Sequence, residues 1–127
     1  ALPISLAEYA QRPYDRDILV GVLVPKENAR FVYQSVRNSQ TDFPVLTCAA
    51  AKLADGSIRA AIGARPGKAV LYTAAPEAGE TAEEFAARFA AEVKAGIKTE
   101  SNLRGGAEYR RHLAGVLTKR AVGRLEG

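Results

Sequence analysis

The 127-residue chain contains one cysteine, one histidine, no tryptophan and no methionine. Because Cys48 is the single cysteine, no disulfide can form within the chain, and we expect a reducing, cytoplasmic setting. Cys48 and His112 cannot supply a metal cluster without carboxylates, and no carboxylates occur at ligand spacing. A nucleophilic Cys–His pair is equally disfavoured, because Cys48 falls inside a strand pattern, where a thiol usually packs as a small hydrophobic group. We therefore expect neither a metal site nor a catalytic residue.

The chain also lacks long apolar runs and phosphate-binding glycine patterns. No run approaches the ~20 apolar residues of a membrane-spanning helix, and no signal-peptide pattern is visible, so we expect no membrane association. No GxGxxG fingerprint of a dinucleotide-binding fold occurs. The segment GARPGK (63–68) comes near a phosphate loop, but its glycines are too close together and Ala69 stands where Ser or Thr would meet magnesium. We interpret it as a hairpin turn.

The composition that remains is typical of one soluble globular domain. Hydrophobic residues make up 47% and charged residues 25% of a length that can bury a core without disulfides. The 18 basic and 14 acidic residues give a formal net charge of +4. A mildly basic balance permits binding to a polyanion and equally permits docking onto an acidic subunit.

Five segments have the β-branched or alternating pattern of strands. They are DILVGVLVP (17–25), RFVYQSVR (30–37), PVLTCAAAKL (44–53), SIRAAIGA (57–64) and AVLYTAA (69–75). Asp55-Gly56, between the third and fourth segments, indicates a hairpin turn. Residues 1–16, with two prolines and a short helical turn at 5–9, are interpreted as an N-terminal linker, and the domain is expected over 17–127.

Helices are expected after the strands. Thr81 and Glu84 have the spacing of a capping box, an apolar stripe follows, and Gly96 is placed to end the helix. A second helix should begin near Gly106, with an apolar face made by Tyr109, Leu113, Val116, Leu117 and Ala121. Strands followed by helices predict an α+β fold: an antiparallel sheet of three to five strands followed by two or three helices packed on one face.

The segment NLRGGAEYRRHLAGVLTKR (102–120) gives this second helix a basic character. Its single aromatic residue, Tyr109, falls on the apolar face, so no pattern for stacking bases is present and nucleic-acid binding is disfavoured. Gly105-Gly106 either exposes backbone N–H groups to an anion or provides a flexible start to the helix, and we favour the second interpretation. The residues alone predict an accessory or interaction module rather than a self-contained enzyme.

The same segment resembles the closing helix of one family, the C-terminal domain of the flavoprotein subunit of molybdenum hydroxylases of the carbon monoxide dehydrogenase and xanthine dehydrogenase type. LRGGAEYRRHLAGVLTKRAV (103–122) has the family's glycine-led Ala-Glu-Tyr-Arg-Arg segment and an apolar helix ending in Arg-Ala. RPYDRDILVGVLVP (12–25) is similar to the strand that enters this domain from the flavin-binding domain. FVYQSVRNSQTDFPVLTCAAAKL (31–53) and DGSIRAAIGARPGKAVLY (55–72) resemble the family's strand pair and hairpin.

The resemblance implies the C-terminal domain of an FAD-binding subunit, excised or separately encoded, that covers the flavin cleft, docks to partner subunits and is not catalytic alone. FAD would be held mainly by glycine-rich loops of two other domains, so no cofactor is expected in the isolated chain. The implied partners are those flavin-binding domains and the iron–sulfur and molybdopterin subunits of an FAD-dependent oxidoreductase. The alternative is a small free-standing module that dimerises or binds nucleic acid through the basic C-terminal helix.

Individual residues also follow from the resemblance. Gln34 and Ser35 match, with a one-residue ambiguity, a family lysine that approaches the flavin, so they are the candidate flavin-proximal residues. Their neutral side chains would not supply the positive charge that favours a reduced, anionic flavin. Asp42 matches a family aspartate that we expect to cap backbone N–H groups at the end of a loop.

The Tyr-Arg-Arg portion of the motif supplies the remaining candidates. Tyr109, Arg110 and Arg111 are expected to be structural or interface residues rather than catalytic ones. The resemblance implies that Tyr109 packs and that Arg110 forms a salt bridge.

Overall fold

Four of the five predicted strands and both predicted helices lie in the order that the sequence predicts. A computed structural model describes residues 2–13, 16–26 and 29–127. The elements are α1 (Leu6–Gln11), β1 (Arg30–Arg37), β2 (Pro44–Lys52), β3 (Ile58–Gly63), β4 (Val70–Ala74), α2 (Ala82–Gly96) and α3 (Ala107–Glu126). Strands followed by two long helices confirm the α+β class.

The four strands form one antiparallel sheet in which each strand pairs with the next along the chain. In β1, Val32 and Val36 pack against the core, whereas Phe31 and Tyr33 project from the opposite face. The same alternation continues across the sheet, because Gln34 aligns with Cys48 on β2. One face of the sheet therefore meets the helices and the other does not.

Helix α2 begins at the predicted capping box. Thr81 Oγ1 accepts a hydrogen bond from Glu84 N at 3.2 Å, and Glu84 Oε2 accepts one from Thr81 N at 2.9 Å. Arg88 fixes the preceding loop to the helix, since its Nε lies 2.8 Å from Glu80 Oε1. Hydrogen bonds from Arg88 and from the backbone lower the pKa of Glu80 to about 2.

The core lies between α2, α3 and the helix-facing side of the sheet. Phe85 and Phe89 of α2 are buried and stacked, with ring centroids 5.9 Å apart. The two helices approach closely at Gly115, where a Cβ atom would lie 3.4 Å from Ala90 O. The other large apolar side chains that are fully buried are Val45, Leu46, Ile58, Ile62, Val93, Val122 and Leu125.

The segment 17–25 differs from the expectation of a first strand. None of its residues has regular secondary structure, and the apolar side chains from Ile18 to Val24 are exposed. β-Branched residues favour a strand only where a sheet edge and a packing surface are available to them. In the predicted N-terminal linker, α1 is capped by Ser5 Oγ, which accepts from Glu8 N at 3.1 Å. Residues 1, 14 and 15 of that linker lie outside the described residues.

Candidate functional site

The face of the sheet opposite α2 and α3 is covered by no helix of the described residues. We call it the open face, and it consists of Phe31, Tyr33, Ser35, Thr47, Ala49, Ala51, Arg59, Ala61, Leu71 and Thr73. Tyr33 is 60% exposed and Phe31 71% exposed. In the central row, Tyr33 aligns with Ala49, Ala49 with Ala61, and Ala61 with Leu71. Two aromatic rings and a leucine therefore flank a floor of alanines.

The small residues of the open face are unusual for a surface that meets water. A solvated face of an antiparallel sheet normally alternates polar residues with the buried ones. Here the two central strands place Ala49, Ala51 and Ala61 at three of those positions, beside the polar Thr47 and Arg59. A flat, apolar floor lets another backbone or a planar group approach closely. In the sequence, the run of alanines at 49–51 interrupts the polar alternation that a solvated strand would have, and this run could have located the surface.

The two candidate flavin-proximal residues lie on opposite faces of β1. Gln34 Nε2 donates to Leu117 O on α3 at 3.3 Å, so the amide faces the helices. Ser35 lies on the open face, where its Oγ accepts from Arg37 Nε at 3.4 Å. Of this pair, only Ser35 shares a surface with Tyr33.

Asp42 joins two loops at one end of the sheet. Its Oδ1 accepts from Phe43 N at 2.7 Å and from Arg104 Nε at 2.9 Å. These two hydrogen bonds, with that from Arg104 the stronger, hold the pKa of Asp42 below its usual range. The Arg104 guanidinium also lies over the exposed Phe43 ring, 5.1 Å from its centroid. Asp42 thus caps a backbone N–H group and ties the β1–β2 loop to the loop before α3.

Arg110 is almost fully buried, and the expected salt bridge is wrong for this residue. No carboxylate of the described chain pairs with it; its side chain is only 1% exposed and donates to oxygens of neutral groups. Nε donates to Val45 O at 2.9 Å, and Nη1 donates to Glu100 O at 2.6 Å. The other two acceptors are Gly105 O at 2.5 Å and Asn102 Oδ1 at 2.6 Å. The planar fork of guanidinium donors is suited to fixing several carbonyls at once.

The neighbours of Arg110 in the motif have simpler surroundings. Arg111 Nη1 pairs with Glu108 Oε1 at 2.9 Å on the surface of α3. Tyr109 is 49% exposed rather than packed in the core. Position 105 requires glycine because β2 lies close to it: a Cβ atom there would lie 2.9 Å from Val45 Cγ1. The glycine pair and Arg110 together shape the turn that leads into α3.

Reactive groups elsewhere are sparse in the described ranges 2–13, 16–26 and 29–127. No group of three or more His, Cys, Asp or Glu side chains there is placed to hold a metal ion, and no helix there is long and apolar enough to cross a membrane. The Cys48 thiol is buried, and burial raises its pKa to about 11. The adjacent Thr118 hydroxyl lowers this pKa, but by less than burial raises it.

Comparison with solved structures shows the same fold in two oxidoreductases. Quinoline 2-oxidoreductase from Pseudomonas putida 86 superposes with a TM-score of 0.64 at 19% identity, covering 80% of this chain and 38% of that one. Carbon monoxide dehydrogenase from Hydrogenophaga pseudoflava, in a form lacking the Mo-pyranopterin moiety, gives 0.62 at 24% identity, covering 77% and 37%. The chain therefore spans less than two fifths of the length of either structural relative.

Comparison at the sequence level gives the family directly. None of the curated protein sequences matches the chain. The sequence model of the carbon monoxide dehydrogenase flavoprotein C-terminal domain matches residues 31–125, from β1 to the last turn of α3. Apart from the first residue of β1 and the last residue of α3, the matched region contains the sheet, both long helices and the Arg110 turn. The chain belongs to the CO dehydrogenase flavoprotein C-terminal domain family.

Proposed function

We propose that this chain is the C-terminal domain of the FAD-binding subunit of a molybdenum-hydroxylase-type oxidoreductase, of the xanthine or carbon monoxide dehydrogenase kind, and acts in the cytoplasm. The domain covers the flavin cleft and docks to partner subunits, and it is not catalytic alone. The open face carries this proposal, because a flat alanine floor bordered by Tyr33 and Leu71 suits an interface better than water.

The exposed apolar segment before the sheet supports the same function. Ile18, Val20, Val22 and Val24 are more than half exposed in the described structure. Such a β-branched run gains stability when it pairs with a sheet edge and its side chains leave water. In the family that this chain resembles, flavin-binding domains precede this domain, and they would provide that sheet edge. The segment would then be shared between two domains of one subunit.

The flavin itself would meet the open face rather than the helix-facing side. Ser35 and Tyr33 lie on that face, whereas the Gln34 amide is engaged with α3. The described residues include no glycine-rich loop of the kind that holds FAD phosphates, so the cofactor would be held mainly by the other domains. When bound, FAD supplies the electron-accepting chemistry of the whole enzyme. The contribution of this chain would be to cover the ring and limit its access to water.

A mixing experiment tests the proposal. The FAD-loaded flavin-binding part of the subunit is produced separately and titrated with this chain, with changes in flavin fluorescence as the readout. Ala49→Glu places a charge on the open face and should abolish association. Ala91→Glu, on the exposed side of α2, is the matched control and should bind like the unmodified chain.

Two results would refute the proposed role. One is equal association of the Ala49→Glu and unmodified chains, given unchanged circular dichroism. The other is stoichiometric FAD in the purified chain on its own, seen in its visible absorption spectrum. Either result would mean that the open face does not cover a flavin held by other domains.

A further inference from the structure

A second surface lies on the far side of the molecule, at the C-terminal half of α3. Lys119, Arg120 and Arg124 are exposed on the outer side of this helix. Arg30 joins them, because its Nη2 donates to Arg124 O at 3.3 Å. We call these four residues the basic edge. They connect the start of β1 with the last two turns of α3.

The cations of the basic edge make no ion pairs with described residues, a property that they share with other exposed cations such as Arg59, Lys94 and Lys98. Among the described residues, none of its four cations lies in a salt bridge with a carboxylate. Three other arginines of the helical layer and its loops are paired: Arg88 with Glu80 and Glu92, Arg104 with Asp42, and Arg111 with Glu108. The carboxylate at the end of α3, Glu126, is directed to Lys52 Nζ at 2.9 Å. Within the described ranges, positive charge therefore accumulates on this edge without a paired carboxylate.

The helix dipole explains only part of this charge. Cations stabilise the C-terminal end of a helix, but the effect falls off within the last turn. Arg124 lies in that turn, whereas Lys119 and Arg120 lie further back along α3. The helix dipole therefore does not explain why cations occur at Lys119 and Arg120.

Gly123 marks the same surface. It is exposed in the interior of α3, where glycine lowers helix stability relative to alanine. A Cβ atom at this position would meet nothing within 4 Å, so packing inside the chain does not require the glycine. It lies one turn beyond Lys119 and next to Arg124. A glycine there leaves a flat place at which a partner's backbone can approach the helix.

We propose that the basic edge, with Gly123 at its centre, docks onto an acidic surface of a partner protein subunit. This inference rests on the proposed function, which requires this domain to assemble with other subunits. Unpaired cations attract and orient a complementary acidic face, and the glycine allows close contact. A nucleic acid fits less well. Tyr109, the one aromatic residue of α3, lies about 15 Å along the helix from Lys119, too far to stack a base held there.

The test uses the flavoprotein subunit that carries this chain, and the iron–sulfur and molybdenum-cofactor subunits of the same enzyme. The double variant Arg120→Glu/Arg124→Glu reverses two charges of the basic edge. Lys94→Glu/Lys98→Glu makes the same change in net charge on the exposed end of α2 and is the matched control. We expect the first variant to bind one partner subunit at least about tenfold more weakly, and the control to bind normally. Flavin content should be unchanged in both.

Gly123→Ala provides a second, uncharged test. The variant should raise the melting temperature of the subunit, because alanine favours the helix, and should weaken association with the same partner. Normal association of both Arg120→Glu/Arg124→Glu and Gly123→Ala overturns the inference, as does equal weakening by the Lys94→Glu/Lys98→Glu control. If the unmodified subunit binds no partner at all, the proposed function fails as well. If the basic-edge variant assembles normally but loses steeply salt-dependent retention on DNA, the surface binds nucleic acid and the inference is again overturned.

Discussion

Replacement of Arg110 by methionine is the sharpest test of how this fold is held together. The side chain is nearly inaccessible to water and donates to four acceptors in two parts of the chain, strand β2 and the loop before α3. Methionine fills a similar volume and keeps the apolar contacts of the stem, but it donates no hydrogen bonds. The substitution therefore isolates the contribution of the guanidinium.

The expected loss can be worked out acceptor by acceptor. Gly105 O keeps a hydrogen bond from Asn102 N at 3.1 Å, and Asn102 Oδ1 keeps one from Arg104 N at 2.9 Å. Val45 has no aligned partner in either neighbouring strand, so Val45 O loses its donor, as does Glu100 O. The buried Val45 O without a partner costs about 1–3 kcal/mol, and the part-buried O of the exposed residue Glu100 adds a smaller cost. After the gain from removing a buried charge, we expect Arg110→Met to lower the free energy of unfolding by about 2–4 kcal/mol.

Urea unfolding followed by circular dichroism measures this loss, and the m-value should be the same for the variant and the unmodified chain. Arg111→Met is the control, because that neighbouring guanidinium makes a surface ion pair with Glu108, and its loss should cost less than about 1 kcal/mol. Equal losses in the two variants, or a loss below about 1 kcal/mol for Arg110→Met, would refute the hydrogen-bond reasoning.

Two further predictions concern single sites. Gly105→Ala should destabilise the chain by about 1–3 kcal/mol, because the new methyl group overlaps Val45 Cγ1. Gly123→Ala should stabilise it by about 0.5–1 kcal/mol, because alanine favours the helix. Urea unfolding of both variants measures these changes, and equal effects would contradict the prediction. Glu80 has a folded-state pKa near 2, so its pairing with Arg88 stabilises the chain above the ordinary pKa of about 4.5 and is lost as the pH falls from there towards 2. Glu80→Gln should therefore flatten the dependence of melting temperature on pH in that window, and an unchanged slope would contradict the assignment.

Local patterns in the sequence predicted the elements of the fold well. The alternation of RFVYQSVR defined β1 at its observed bounds, Arg30–Arg37, because each second side chain packs on the helices. The capping-box spacing likewise predicted that Thr81 starts α2. In both cases the physical cause acts within a few residues, so the sequence alone contains it.

The features that escaped prediction depend on contacts between distant parts of the chain. Arg110 is separated from Val45 by 65 positions, and nothing in the motif shows that its acceptors are carbonyls rather than a carboxylate. The run from Ile18 to Val24 has strand propensity but pairs with no described strand, although β1 and β4 each have an outer edge without a neighbouring strand. Propensity describes what a segment prefers, and the available neighbours decide what it does.

The alanines of the two central strands also affect how the hairpin between them is aligned. Ala49 faces Ala61 and Ala50 faces Ala60. Sliding one strand by two residues would set Ala50 against Ile58 or Ile62, so the side chains of the core face favour one alignment. The turn favours the same alignment, because Gly56 adopts a positive φ of 84° there, and Asp55 Oδ1 accepts from both Ser57 N and Ser57 Oγ. In this hairpin a three-residue turn and the isoleucines on either side of Ala60 select the same pairing.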